Sequence, residues 1–272
     1  MIVQYPSIAA IRQDFLARGD STGGSAGIGP NSWTGNESRE DTLRLSASGD
    51  TRLVAEAEAL LAQLNTEISV PRRVWERSPA GAFCSVPDVL AGLPTPMRRL
   101  RHTQDERAPI TILVTTTSSA AVSAKTLAKR GTVILALVLA LSRIRPVSLR
   151  QLTVVDGNRD RTGETVITAE INTTPLDLAT ACYVLTSAGF ARRLTYDLAR
   201  GLNDFGGGWP RGYTFGAGGT YFAGLVKRLG LDPKQTLVVA SAEMGDALLA
   251  DPVRWVNTQI ANFTANQEEL VA

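Results

Sequence analysis

The chain has 272 residues, 44% of them hydrophobic and 20% charged, which is enough apolar material for one large core. Lys and Arg number 28 against 26 Asp and Glu, a formal net charge of +2. That balance excludes a global polycation and argues against purely electrostatic nucleic-acid binding. Two isolated cysteines, Cys84 and Cys182, give no disulfide framework and no zinc site of about four ligands, and a single histidine, His102, excludes His-rich metal sites.

These counts fit a reduced, cytoplasmic setting. The N-terminus, Met1 to Pro6, has no basic region followed by an apolar core, so no signal peptide is expected. The longest apolar run, Val133 to Leu141, is far short of the ~20 residues that span a bilayer. No membrane association is expected.

Residues 7–18 read as a short amphipathic helix, with Ile8, Ile11 and Phe15 at helical spacing. Gly19 to Pro30 is a Gly/Ser-rich loop that lacks the Gly-Lys-Ser/Thr ending of a phosphate-binding loop. Trp33, between turn formers, either plugs onto the core or serves as an exposed contact, and plugging is the more common outcome for so large a ring. Leu43 to Asp50 reads as a short strand ending in a turn. From Thr51 the spacing of Leu53, Val54, Ala57, Leu60, Leu61 and Leu64 predicts a helix, with Asp50 or Thr51 as its N-cap.

Residues 69–109 hold six prolines and read as irregular, apart from a helical turn at Asp88-Val89-Leu90. The most basic cluster lies here, Arg98-Arg99-Leu100-Arg101-His102. It is either a contact surface for phosphates or an acidic partner, or a solvated connection, the second being the more common case.

Ile110 to Asp156 organises the rest. Ile110–Val114 is an apolar, β-branched strand, and the hydroxyls Thr115-Thr116-Thr117-Ser118-Ser119 follow it. A deeply buried helix is predicted from about Ser123 to Ile144, with Gly131 marking close approach to the sheet. Gln151–Val155 and Glu164–Ile171 are strands joined by a short polar connection, which predicts an antiparallel pair. Residues 176–202 are helical with a break near Ser187-Ala188-Gly189, and Arg192, Arg193 and Arg200 give this part a basic face. A second glycine-rich segment, 203–220, contains Trp209. A helix over 221–229 capped by Gly230, a strand over 236–240 and a last helix from Pro252 complete the chain.

This order predicts an open, three-layer α/β sheet, mostly parallel with one antiparallel pair, over residues 108–272, preceded by a helical and irregular extension over 1–107 that packs on the core. Ligands of such sheets sit at the carboxyl ends of the parallel strands.

The order resembles a von Willebrand factor A-type domain, whose metal site begins with Asp-x-Ser-x-Ser after the first strand. Here Thr117 and Ser119 match the two serines, but Thr115 stands where the aspartate should be. Ser241-Ala242-Glu243 lies nearest to a later family aspartate, and Thr173 or Thr174 to a distal threonine. The resemblance implies a degenerate site without bound metal or other cofactor, its loop edge carried by Thr115, Thr117, Ser119, Thr173 and Glu243. Hard cations need anionic oxygen ligands, which this loop lacks.

The chain is also similar to uncharacterised proteins of tailed bacteriophages, in Ser32-Trp33-Thr34-Gly35, Leu93-Pro94-Thr95-Pro96-Met97, Arg130-Gly131 and Arg145-Pro146-Val147. That similarity implies a place in the host cytoplasm or the virion, and no particular activity.

The expected function is a non-enzymatic interaction or assembly protein, binding a protein partner or itself through the loop edge. A nucleic-acid-binding accessory protein using Arg98, Arg99, Arg101, Arg192, Arg193 and Trp209 is the first alternative. A metal-assisted hydrolase built on Asp156, Asp160 and Glu164 is the second. Nucleophile elbow, Cys-His pair and phosphate loop are all missing from the sequence.

Overall fold

The computed structural model describes residues 1–18, 30–64, 73–102, 109–118, 121–156, 164–202, 211–212, 219–242 and 246–265. The first glycine-rich loop (19–29), the polar turn 157–163 and most of the second glycine-rich segment lie outside the described residues.

The N-terminal part begins with strand β1 (Ile2–Tyr5) and helix α1 (Ile8–Arg18), which buries Ile8, Ile11 and Phe15. A single 3-10 turn, Ser32–Thr34, leads to helix α2 (Arg39–Ser48) and helix α3 (Val54–Ala62). The strand expected at 43–50 is therefore a helix. Ser38 starts it with a capping box: its hydroxyl accepts from the Asp41 N–H at 2.9 Å, and the Asp41 carboxylate accepts from the Ser38 N–H at 3.3 Å. The alternation of Leu43 and Leu45 looked β-like, but Thr42, Leu45 and Ser46 form the buried helical face. Gly49 ends the helix at φ 71°, and a Cβ there would lie 2.4 Å from the Ala179 carbonyl carbon. The following helix starts two to three residues later than expected, with Leu53 as N-cap and no side-chain cap bond.

Residues 73–102 are not an irregular connection. They form a small antiparallel sheet of β2 (Arg73–Ser78), β3 (Phe83–Cys84) and β4 (Met97–His102), in the order β2-β4-β3, with the short helix α4 (Val86–Leu90) between β3 and β4. Pro79, Pro94 and Pro96 fall in the connections and Pro87 in the first turn of α4, so no proline interrupts a ladder. The proline count hid these short strands.

The main sheet is built from β5 (Ile110–Thr115), β6 (Val147–Asp156), β7 (Thr165–Ile171) and β9 (Thr236–Val239), with a two-residue β8 (Arg211–Gly212) against the end of β6. The order is β1-β7-β6-β5-β9. β5 is parallel to β6 and to β9, β1 is parallel to β7, and β6 and β7 form the expected antiparallel pair, with Leu152 opposite Thr168. β1 corrects the expected division at residue 107, because the first residues of the chain form an edge strand of the sheet.

Helix α5 (Ala124–Ser142) follows β5, with the Ser123 hydroxyl accepting from the Thr126 N–H at 3.0 Å. After β7 come α6 (Leu178–Thr186), a π-helical stretch Phe190–Thr195 and α7 (Tyr196–Leu202). Then come α8 (Gly219–Arg228), α9 (Ala247–Ala250) and α10 (Pro252–Ala265). Helix α5 is apolar nearly all round because α3, α6, α9 and α10 pack about it as well as the sheet. Gly131 serves helix–helix contact and not the expected contact with the sheet: a Cβ there would lie 2.1 Å from the Leu185 carbonyl oxygen of α6.

Side-chain alternation divides the sheet between two cores. Ile110, Ile112, Val114, Leu149, Ile167 and Ala169 join the larger core under α1, α5 and α6. Leu113, Leu152, Val154 and Val166 face the other way and pack on Phe222, Leu225, Val226 and Leu229 of α8. The result is the expected three-layer α/β architecture.

Candidate functional site

At the carboxyl end of β5 the hydroxyls are buried and tied into the sheet. The Thr117 hydroxyl accepts from the Val154 N–H at 3.0 Å and donates to the Val154 carbonyl at 3.3 Å, extending the β5–β6 pairing with side-chain atoms. Thr116 lies 2.9 Å from the Thr153 hydroxyl and bonds the Leu152 carbonyl. Thr115 is 1% exposed, and its hydroxyl has no hydrogen-bond partner among the described residues. A cavity of about 20 Å³ beside Thr115, Thr117, Leu127 and Arg130 holds one water at most. Ser119 and Glu243 lie outside the described residues.

Thr173 does not belong to this edge. β7 runs against β6, so the residues after β7 return to the start of β6, where the Thr173 hydroxyl bonds the Val147 carbonyl at 2.5 Å. That is five residues from Leu152, or about 16 Å along the strand. Among the described residues, no three His, Cys, Asp or Glu side chains group where they would hold a metal ion.

Two buried arginines, neither singled out as structural in the sequence, organise the edge from beneath. Arg130 of α5 donates to Asp246 at 2.9 Å and to the Ala240 carbonyl, fixing the chain after β9. Burial lowers its pKa, against the opposing pull of Asp246. Arg192 donates to the carbonyls of Trp33 and Val122, both at 2.6 Å, and to the Ser118 hydroxyl at 3.2 Å. Its guanidinium carbon sits 5.3 Å from the Trp33 ring centroid. Burial pushes its pKa down to about 10.

Arg192 and Arg193 are thus buried at 5% and 3% exposure and form no basic face. Three of the Arg192 bonds close loops of this chain, so the guanidinium holds the fold together and does not greet an anionic partner. Trp209 lies outside the described residues.

Of the other basic cluster, Arg98 donates to Asp88 at 2.9 Å, and Arg77 donates to the second oxygen of the same carboxylate at 3.0 Å. Arg99 is exposed, opposite Glu76. Arg101 pairs in register with Val74, and its side chain lies outside the description. Of the three carboxylates considered for hydrolysis, Glu164 accepts from Arg228 at 2.9 Å and from the Tyr221 hydroxyl. Asp160 and the side chain of Asp156 lie outside the described residues.

Two features were missed in the sequence. One is a cleft of about 320 Å³ lined by Gly35, Glu37, Asp50, Arg52, Lys125 and Ser187. Glu37 accepts from the Ser187 hydroxyl at 2.8 Å and from the Tyr183 hydroxyl at 3.2 Å, and burial raises its pKa despite those bonds.

The other is an apolar surface on the small sheet. Phe83 is 49% exposed, Val86 64%, Val89 47%, Leu90 83% and Leu93 36%. Among the described residues the only other exposed large hydrophobics are Met1 and Leu16. The signal was available: five apolar residues within eleven positions, between prolines and glycines, with too little helix or strand to bury them.

No helix among the described residues is long and apolar enough to cross a membrane. Comparison with curated proteins finds no match, and comparison with solved structures finds none. Residues 1–220 match the model of a family described as a domain of unknown function (DUF7192), and the chain belongs to that family.

Proposed function

We propose that this is a binding or assembly protein whose docking element is the small sheet with α4, carried on a von Willebrand factor A-like α/β body. The observation that carries this reading is the concentration of exposed apolar side chains between Phe83 and Leu93. Large apolar side chains gathered on one surface element mark interaction sites. The order β7-β6-β5-β9 with its single antiparallel pair supports the A-type resemblance. The bonds of Thr116, Thr117 and Ser118 favour a docking surface elsewhere than the loop edge, because those hydroxyls already serve the fold.

The test is affinity capture of the tagged protein from its native cells, with and without nuclease, beside the Leu90→Asp variant. The reading expects a stoichiometric protein partner that survives nuclease and is lost with Leu90→Asp. Recovery that collapses with nuclease and ignores Leu90→Asp would overturn it in favour of nucleic-acid binding through the arginine strand.

A further inference from the structure

We infer that the surface formed by α4 and its flanks takes a short apolar segment of a partner protein that carries a carboxylate beside its apolar residues. This rests on the reading of that surface as the docking element and adds the chemistry of the occupant.

Residues 73–102 contain five arginines against Glu76 and Asp88, a formal net charge of +3, while the whole chain carries +2. The module is therefore positive in its own right. Its geometry concentrates that charge further. Arg77 and Arg98 stand opposite each other on β2 and β4 and both reach the single carboxylate of Asp88 on α4. Two cations share one anion, which leaves one positive charge in excess.

The two arginines are not equivalent. The Arg98 side chain is 27% exposed and that of Arg77 is 54% exposed, while Asp88 is nearly covered at 8%. Arg77 is thus the member of the group that faces solvent. Asp88 points beneath α4, whereas Val86, Val89 and Leu90 of the same helix point out. The exposed apolar side chains of α4 and a half-exposed guanidinium bound to the same helix thus belong to one surface element, and that guanidinium has further N–H donors.

A partner that covers Leu90 and Val86 buries apolar area, which supplies affinity. A carboxylate beside its apolar residues would meet Arg77 and supply orientation and encounter rate. A nucleic acid would use the arginines but leave the apolar face uncovered. A second copy of this chain would bring another +3 module against the first.

The experiment is selection of a random displayed-peptide library on the full-length protein, with counter-selection on Leu90→Asp. The inference expects peptides enriched in Asp or Glu adjacent to Leu, Ile, Phe or Val. Their binding should weaken more than tenfold with Leu90→Asp. It should weaken two- to fivefold with Arg77→Gln, an exposed charge contact, and that smaller loss should vanish at high salt. Both variants should keep the wild-type urea midpoint, since Leu90 is 83% exposed and Arg98 still holds Asp88.

Patch-dependent peptides with no acidic bias and no response to Arg77→Gln would overturn the inference while leaving the docking surface intact. A selection yielding no peptide that distinguishes Leu90→Asp would overturn both. Concentration-dependent self-association abolished by Leu90→Asp would replace the partner segment with a second copy.

Discussion

Replacing Gly131 by alanine should destabilise the protein although it improves the helix. In the middle of α5 the exchange gains about 1 kcal/mol of helix propensity. The new Cβ, however, would lie 2.1 Å from the Leu185 oxygen, 2.5 Å from its carbonyl carbon and 2.8 Å from Thr186 Cα. Ordinary contact begins at 3.4 Å, and all three atoms are backbone, so α6 as a whole must retreat by more than 1 Å. Forcing extra volume into a packed core costs typically about 1–3 kcal/mol, occasionally more. Because the overlap exceeds 1 Å and is with backbone, the cost falls in the upper part of that range, about 2–3 kcal/mol. The net expectation is a loss of about 1–2 kcal/mol, which corresponds to a Tm several degrees lower for a chain of this size. Gly224→Ala in α8 is the control, because a Cβ there meets nothing within 4 Å. It should gain about 0.4–1 kcal/mol. Urea denaturation of both variants beside wild type reads the two signs. A Gly131→Ala variant as stable as wild type, or more so, would refute the helix contact through Gly131.

Three further outcomes follow from the buried polar groups. Asp246→Ala strands the Arg130 guanidinium in the core, and urea denaturation should show a loss of about 3–5 kcal/mol. Thr117→Ala leaves the buried Val154 N–H without its acceptor and should cost about 1–3 kcal/mol. That loss should be the same with and without Mg²⁺, and Mg²⁺-dependent stabilisation of wild type that the variant lacks would instead mean a cation at Thr117. Asp197 supplies a pH dependence. Burial raises its carboxyl from 3.8 to about 7, against the lowering effect of Arg200, Arg193 and Arg39. Between those values the unfolded chain binds fewer protons at this site than the folded chain, so its contribution to stability falls as pH rises. Asp197→Asn should flatten the decline in urea midpoint between about pH 4 and pH 7.

The central α/β unit was legible because its signals are long and unmixed. Ile110–Val114 is uninterrupted and β-branched, the α5 sequence is apolar on all sides, and a short polar connection between two strands leaves them little choice but to pair antiparallel. β1 was not legible: it spans four residues, and only its partner β7 makes it a strand. The strands of the small sheet were masked by prolines that the turns accommodate. Arg192 and Arg193 looked like surface charge because spacing does not reveal that Trp33, Ser118 and Val122, distant in sequence, converge on the Arg192 guanidinium. Thr173 was misplaced because the reversal of β7 carries it to the far end of the sheet.

The most direct test of the docking surface uses the two cysteines as reporters. Cys84 is exposed and adjoins Phe83, whereas Cys182 is buried in α6, where burial raises its thiol pKa. Maleimide labelling of the purified protein should modify Cys84 and spare Cys182. In native cells the partner should cover the surface, so Cys84 should be protected, and the Leu90→Asp variant should lose that protection. Equal labelling of Cys84 in cells and in the purified protein would contradict the claim that the surface between Phe83 and Leu93 is covered by a partner.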